Sequence, residues 1–220
     1  MIKYVVNNFA IHRFMVLIAC STLCFMTIAT TEALANSHGK TILPPIKQIL
    51  SDRIEGDPSA PITMIEYASM TCPHCAEFHT EAYKLIKKEY VETGKVKFIY
   101  RDFPLDRLGL AAAMMARCAP KERYFAIVNI IYQSQDSWAR ASDPAAALAQ
   151  IAKLAGMSKK TFDACIIDKN IYEGVMKIRN DGDKKFNIKA TPTILIDGKT
   201  FEGDKTIKAF RSELNALLKK

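Results

Sequence analysis

Two cysteines three residues apart enclose a proline and a histidine in the segment Cys72-Pro73-His74-Cys75. Such a pair can supply half of a zinc site, or it can cycle between a dithiol and a small disulfide. Structural zinc takes four ligands, as a second Cys-x-x-Cys or as a His pair at similar spacing. No second Cys-x-x-Cys follows, His74 lies inside the loop, and Cys118 and Cys165 are far apart in the chain, so no metal is expected. Local context favours redox chemistry. The strand-like run Ile62-Thr63-Met64-Ile65-Glu66-Tyr67 precedes the pair. From Cys75 to Thr93 the spacing is helical, with Phe78, Ala82, Leu85, Ile86 and Tyr90 on one face. Cys72 then falls at a helix N-terminus, where unpaired backbone N–H groups and the macrodipole favour an anion. Its thiolate is the expected nucleophile. Pro73 suits the first helical turn and stiffens the loop. His74 is expected to donate to the thiolate or, protonated, to pair with it. Cys75, deeper in the helix, is the expected resolving thiol.

The elements that position this pair can be read outward from it. Gly94 stops the helix, Val96-Lys97-Phe98-Ile99-Tyr100 reads as a second strand, and Pro104 ends it. Strand, helix and strand of this length form a βαβ unit with a parallel pair. Residues 106–187 change to Ala-rich and Leu/Ile-rich stretches without strand runs. Pro120 separates helices of about 107–118 and 121–134. Ser142-Asp143-Pro144 starts another that Gly156 stops, Ser158 caps a short one, and a longer helix covers about 170–186. Met114, Met115 and Trp138 are expected in the core of this block. Then come Thr193-Ile194-Leu195-Ile196, the turn Asp197-Gly198 and Lys199-Thr200-Phe201-Glu202, a hairpin signal. An amphipathic helix of about 205–218 closes the chain, with Ile207, Phe210, Leu214 and Leu217 on one side. The order β-α-β, helical block, β-β-α predicts an α/β protein. It is a thioredoxin-like domain made of 61–105 and 188–220, with an inserted helical domain at 106–187. Residues 36–60, broken by Pro44, Pro45, Gly56 and Pro58, read as an N-terminal lead-in that adds little to the core.

The 220 residues are 49% hydrophobic and 25% charged, with 9 Gly and 9 Pro, which excludes disorder and low complexity. The net charge of +8 is spread along amphipathic stretches and interleaved with acids. No dense basic run carries stacking aromatics, so a solvated basic surface is expected and nucleic acid is not an expected partner. At the N-terminus Lys3, His12 and Arg13 precede the apolar run Phe14 to Ala29 and the small-residue site Ala33-Leu34-Ala35. Residues 1–35 are therefore read as a secretory signal peptide cleaved after Ala35. The alternatives are an uncleaved anchor, since the apolar run approaches spanning length, and lipidation at Cys20 of Leu17-Ile18-Ala19-Cys20. Cleavage would leave Cys72, Cys75, Cys118 and Cys165, an even number compatible with disulfides in an exported protein.

Cys72-Pro73-His74-Cys75 after a strand, with Thr191-Pro192 before another strand far downstream, resembles the DsbA family of bacterial thiol–disulfide oxidoreductases. The resemblance covers about residues 60–218, and Arg101-Asp102-Phe103-Pro104-Leu105 is similar to the subgroup common in alphaproteobacteria. It implies a thioredoxin fold with a helical insertion and a periplasmic enzyme that introduces disulfides into secreted, unfolded polypeptides bearing free thiols. It also implies recycling by a quinone-linked oxidase of the membrane, and no cofactor in the protein itself. Pro192 would be the family's cis-proline opposite the cysteine pair, and Thr191 would offer backbone hydrogen bonds to an extended substrate. Glu66 would be the buried acid below the site, able to relay a proton to or from Cys75. The alternatives are a disulfide isomerase or reductase on the same fold, or a thiol-dependent chaperone-like peptide binder. The short, Pro-broken lead-in argues for a monomer. His79 reads as an ordinary helix-surface residue. Cys118 and Cys165 exceed the minimal pattern of the family; in an oxidising compartment they are expected to form a structural disulfide, the alternative being two buried free thiols.

Overall fold

The computed structural model describes residues 43–220; the predicted leader, its cleavage point and Cys20 lie outside the described residues. A short helix, α1 (Ile46–Ile49), leads to β1 (Arg53–Glu55) and to the central strand β2 (Ile62–Ala68). Next comes a helical run over 73–91. It consists of α2 (Pro73–Phe78), a π turn (His79–Tyr83), α3 (Lys84–Ile86) and a second π turn (Lys87–Val91). This run is the crossover to β3 (Val96–Asp102), which lies parallel to β2 from Ile62 opposite Val96 to Ala68 opposite Asp102. Six helices follow: α4 (Arg107–Cys118), α5 (Tyr124–Gln133), α6 (Gln135–Ala139), α7 (Pro144–Leu154), α8 (Lys159–Ile166) and α9 (Lys169–Phe186). The chain then returns through β4 (Thr193–Ile196) and β5 (Lys199–Thr200) to α10 (Ile207–Leu217). The sheet order is β1-β3-β2-β4-β5, and every pair except β2–β3 is antiparallel. This is the mixed sheet of the thioredoxin fold, with helices inserted between its halves.

Local chemistry explains most boundaries. Asp106, Asp143, Ser158 and Asp168 cap α4, α7, α8 and α9 by accepting from the amides of Gly109, Ala146, Thr161 and Ile171, each worth about 1 kcal/mol. Asp197 and Gly198 take φ of 46° and 79°, the positive values that a two-residue hairpin turn requires. Predicted strand 199–202 ends early, at Thr200, because Phe201 turns inward to stack on Phe210 at 4.5 Å. The helix predicted over 121–134 begins as a 3₁₀ turn, and the short α6 follows it before the predicted start at Ser142-Asp143-Pro144.

The lead-in contributes more to the fold than its composition suggests. β1 pairs with β3, Ile49 is buried, and Arg53 is 1% exposed. Two buried arginines staple this segment down. Arg53 donates to the carbonyls of Ile49 and Arg117, at 3.1 and 2.8 Å, and lies over the Tyr124 ring. Arg117 donates to the carbonyls of Ile49 and Ser51, at 3.0 and 3.1 Å, and pairs with Asp102 at the end of β3. The helical block is likewise not a separate body. One apolar core runs from Met64, Phe98 and Tyr100 of the sheet through Met114, Met115, Ile127 and Trp138 to Phe162. A disulfide between Cys118 and Cys165 ties the end of α4 to α8. Among the described residues, no helix is long and apolar enough to cross a membrane.

The Asp102–Arg117 pair is almost fully covered, so removing one partner strands a charge. Asp102→Ala is expected to lower the unfolding free energy by about 3–5 kcal/mol, read as a fall in the urea midpoint at unchanged slope. The Cys118–Cys165 bridge joins residues 47 apart. Changing both cysteines to alanine should cost about 2–5 kcal/mol, measured the same way under conditions that leave Cys72 and Cys75 reduced.

Candidate active site

Cys72 is the N-cap residue of α2, in extended conformation, and Pro73 occupies the first helical position. The Cys72 carbonyl accepts from the amides of Cys75 and Ala76, at 3.1 and 3.2 Å, while its own amide donates to the Ser69 carbonyl. A residue that sequence reasoning missed completes this frame. Gln135, buried at the start of α6, donates from Nε2 to the carbonyls of Met70 and Cys72, at 2.9 and 3.0 Å. A single glutamine in a short helix gives no sequence signal for that contact. Nearby, Thr71 donates to Asp106 at 2.6 Å, so the residue that caps α4 also holds the loop before Cys72. Gly109 permits this approach, since a Cβ there would come within 2.8 Å of Thr71 Oγ1.

The Thr191-Pro192 peptide bond is cis, and this loop lies against the cysteine pair. The Cys72 thiol donates to the Thr191 carbonyl at 3.2 Å. Cys72 is 7% exposed and Cys75 0%, so the expected nucleophile is covered rather than open to solvent. The two sulfurs differ electrostatically. Hydrogen bonds from the Cys75 thiol first, then from the amides of Cys75 and His74, bring the Cys72 pKa from 9.0 to about 5 against the opposing effect of burial. Burial, the hydrogen bond to Cys72 and the Glu66 charge push the Cys75 thiol well above its ordinary value.

His74 acts differently from its predicted role. Its side chain is exposed and directed toward Glu77, 3.5 Å away, so it is the backbone amide of His74, not the imidazole, that serves the Cys72 sulfur. Glu66 is fully buried in β2, and its Oε2 lies 2.7 Å from Nε2 of His79. His79 is therefore not a surface residue: it is 5% exposed and stacks on Tyr132 at 4.3 Å. His79 lies one turn after Cys75 and shares its buried face, and the π turn that begins at His79 shifts the phase of the residues that follow. His79, Ala82 and Tyr83 all turn inward, whereas Leu85, predicted on the buried face, is only half-buried. Leu85 lines a groove of about 690 Å³ beside the cysteine pair, together with Phe78, Glu77, Pro192 and Ile207. No group of three or more potential metal ligands exists among the described residues.

A dithiol at the head of the helix after the central strand, facing a cis-proline, defines a thioredoxin-fold protein with a Cys-x-x-Cys site. The sequence pattern of the family described as Thioredoxin matches residues 49–216, and the chain belongs to that family. Within it, the chain is similar to DsbA proteins. The crystal structure of Wolbachia pipientis alpha-DsbA1 superposes with a TM-score of 0.70 at 38% identity, covering 76% of this chain and 90% of that one. A Rickettsia typhi protein, provisionally named a protein-disulfide oxidoreductase, is 31% identical over 149 residues. That alignment covers 67% of this chain and 55% of the relative, so the chain spans about half the length of the Rickettsia relatives it matches. Disulfide bond formation protein D of Bacillus subtilis is 24% identical over 175 residues, covering 73% of this chain and 76% of that protein.

The depressed Cys72 pKa has a direct readout. Alkylation of the reduced protein should modify Cys72 at a rate that rises with pH through a midpoint of about 5, as the thiolate forms. Cys75 should stay unlabelled across that range. Peptide mapping by mass decides it, and label on Cys75 first would reverse the assignment.

Proposed function

We propose that this protein is a dithiol–disulfide oxidoreductase acting as an oxidase of exported polypeptides. The observation that carries the reading is the opposition between the two sulfurs, one held toward thiolate and the other toward thiol. In the oxidised enzyme a substrate thiolate attacks Sγ of Cys72. The Cys72–Cys75 bond breaks, a substrate–Cys72 bond forms, and Cys75 departs as a thiolate that takes up a proton. A second substrate thiolate then attacks the substrate sulfur of this mixed disulfide. Cys72 leaves as the thiolate that its surroundings stabilise, and two electrons have passed from the substrate dithiol to the enzyme. Thr191 and Pro192 would align the substrate, with the groove along Phe78 and Leu85 beside them.

The direction of transfer follows from the thiolate. A Cys72 pKa depressed on folding stabilises the folded, reduced enzyme, so the disulfide form is the one driven to react. The leader pattern at 1–35 supports export to the periplasm, and the resemblance to DsbA proteins supports recycling by a quinone-linked membrane oxidase.

The test compares thermal melts of the oxidised and reduced protein, with Cys118–Cys165 intact. The reduced form should melt higher at neutral pH. Because the folded Cys72 pKa is below its unfolded value, the advantage is complete above the ordinary value of 9.0 and is lost as pH falls through about 5. An oxidised form that melts higher at neutral pH would indicate a reductase or isomerase and overturn the oxidase reading.

A further inference from the structure

The exchange chemistry proposed above requires a proton at a place solvent cannot reach from the front. Cys75 leaves the disulfide as a thiolate whose burial favours the protonated form, yet it is 0% exposed and lies beneath Cys72. A bound substrate would cover that side further, and His74 is turned outward. The proton therefore has to come from behind the helix.

The groups behind it form a line. Glu66, fully buried, bears electrostatically on Cys75. Its Oε2 meets Nε2 of His79 at 2.7 Å, while Oε1 of Glu66 and Nδ1 of His79 are buried without a hydrogen-bond partner. Buried polar atoms in native cores are nearly always paired. Each end of the Glu66–His79 contact thus carries a buried polar atom open to a further partner. His79 packs against Tyr132, Tyr83 and Tyr100, which burial keeps neutral, and among the described residues the carboxyl group that meets its ring is that of Glu66. His79 also lines a cavity of about 540 Å³ with Thr80, Asn129 and Gln133. Lys84, Lys87, Lys88 and Glu92 also line it, and Lys87 is paired with Glu55. His79 opens a π turn, a rare element found often at functional sites.

We propose that His79 is the positioning residue that connects Glu66 to this rear cavity and recharges it with protons during disulfide exchange. A cavity water gives a proton to Nδ1, Nε2 passes one to Glu66, and the carboxylic acid protonates the Cys75 thiolate. No electrons move, and one proton is transferred from solvent to sulfur. During reoxidation the same chain carries the proton outward. The front groove then serves substrate and the rear cavity serves protons.

The experiment is a single-turnover reduction of the oxidised protein by dithiothreitol, followed across pH in H₂O and in D₂O. His79→Phe keeps an aromatic ring against Tyr132 but cannot carry a proton. It should slow the step about tenfold or more and abolish both its pH inflection and its solvent isotope effect. His79→Ala should be equally slow, and added imidazole should restore its rate, an effect that a packing role would not produce. Wild-type rate, pH profile and isotope effect in His79→Phe would overturn the proposal. So would a slow His79→Ala that imidazole leaves unchanged, which also decides the matter if His79→Phe does not fold. Failure of the wild-type protein to exchange with dithiothreitol would instead reject the oxidoreductase function on which the proposal rests.

Discussion

A sulfur anion kept at a nearly water-free helix N-terminus is the demand that organises this molecule. Covering Cys72 works against the thiolate, because burial penalises the charged form. Directed hydrogen bonds have to overcome that penalty, and their donors come from the neighbouring thiol and the first turn of α2. Such donors are effective only if their geometry is held. That accounts for the density of fixed contacts around so short a loop: the Cys72 carbonyl clamped by Gln135, the 69–71 turn tied to Asp106, and the loop carrying Pro192 set across the pair.

This requirement links the two halves of the fold. Gln135 and Tyr132 belong to the helical insertion, yet one holds the backbone of the cysteine loop and the other stacks on the histidine beneath it. The insertion shares a single apolar core with the sheet, so its position is set to the precision of a packed interior. The edge of the sheet is fixed in the same way. Arg53 and Arg117 reach carbonyls that a short lead-in leaves unpaired, and Asp102 at the end of β3 balances part of their charge. The disulfide at Cys118 adds a covalent tie one residue beyond Arg117.

The active-site helix therefore has two working sides. Its outer side, with Glu77, Glu81 and half-buried Leu85, borders a groove beside Pro192 whose floor includes the buried Phe78. Its inner side carries His79, four residues after Cys75, to Glu66 in the central strand. The same element presents a surface to a substrate and a polar connection to the interior. This division explains why Cys72 and Cys75, three residues apart, experience such different surroundings.

The cysteine pair, its place after a strand and at the head of a helix, the hairpin at Asp197-Gly198 and the caps of the inserted helices were all legible in the sequence. Each depends on residues within one or two turns of one another, where side-chain type alone selects the backbone. The resemblance carried Glu66, Thr191 and Pro192 to the site as well. What could not be read depends on contacts across the chain. β1 forms because β3 offers an unpaired edge and because its own Arg53 is tied to the carbonyl of Arg117, 64 residues away in α4. Gln135 finds its carbonyls 63 and 65 residues away. His79 stands four residues after Cys75, on the face an ideal helix buries, but a histidine there reads as surface until a buried partner is known, and the spacing of His74 from Cys72 does not show which way its ring turns. Glu66 in the central strand supplies the partner of His79, and His74 is left to solvent. Local periodicity determined which residues could do the chemistry, and tertiary packing decided which of them meet, because burial and long-range hydrogen bonds outweigh the preferences of a single helix.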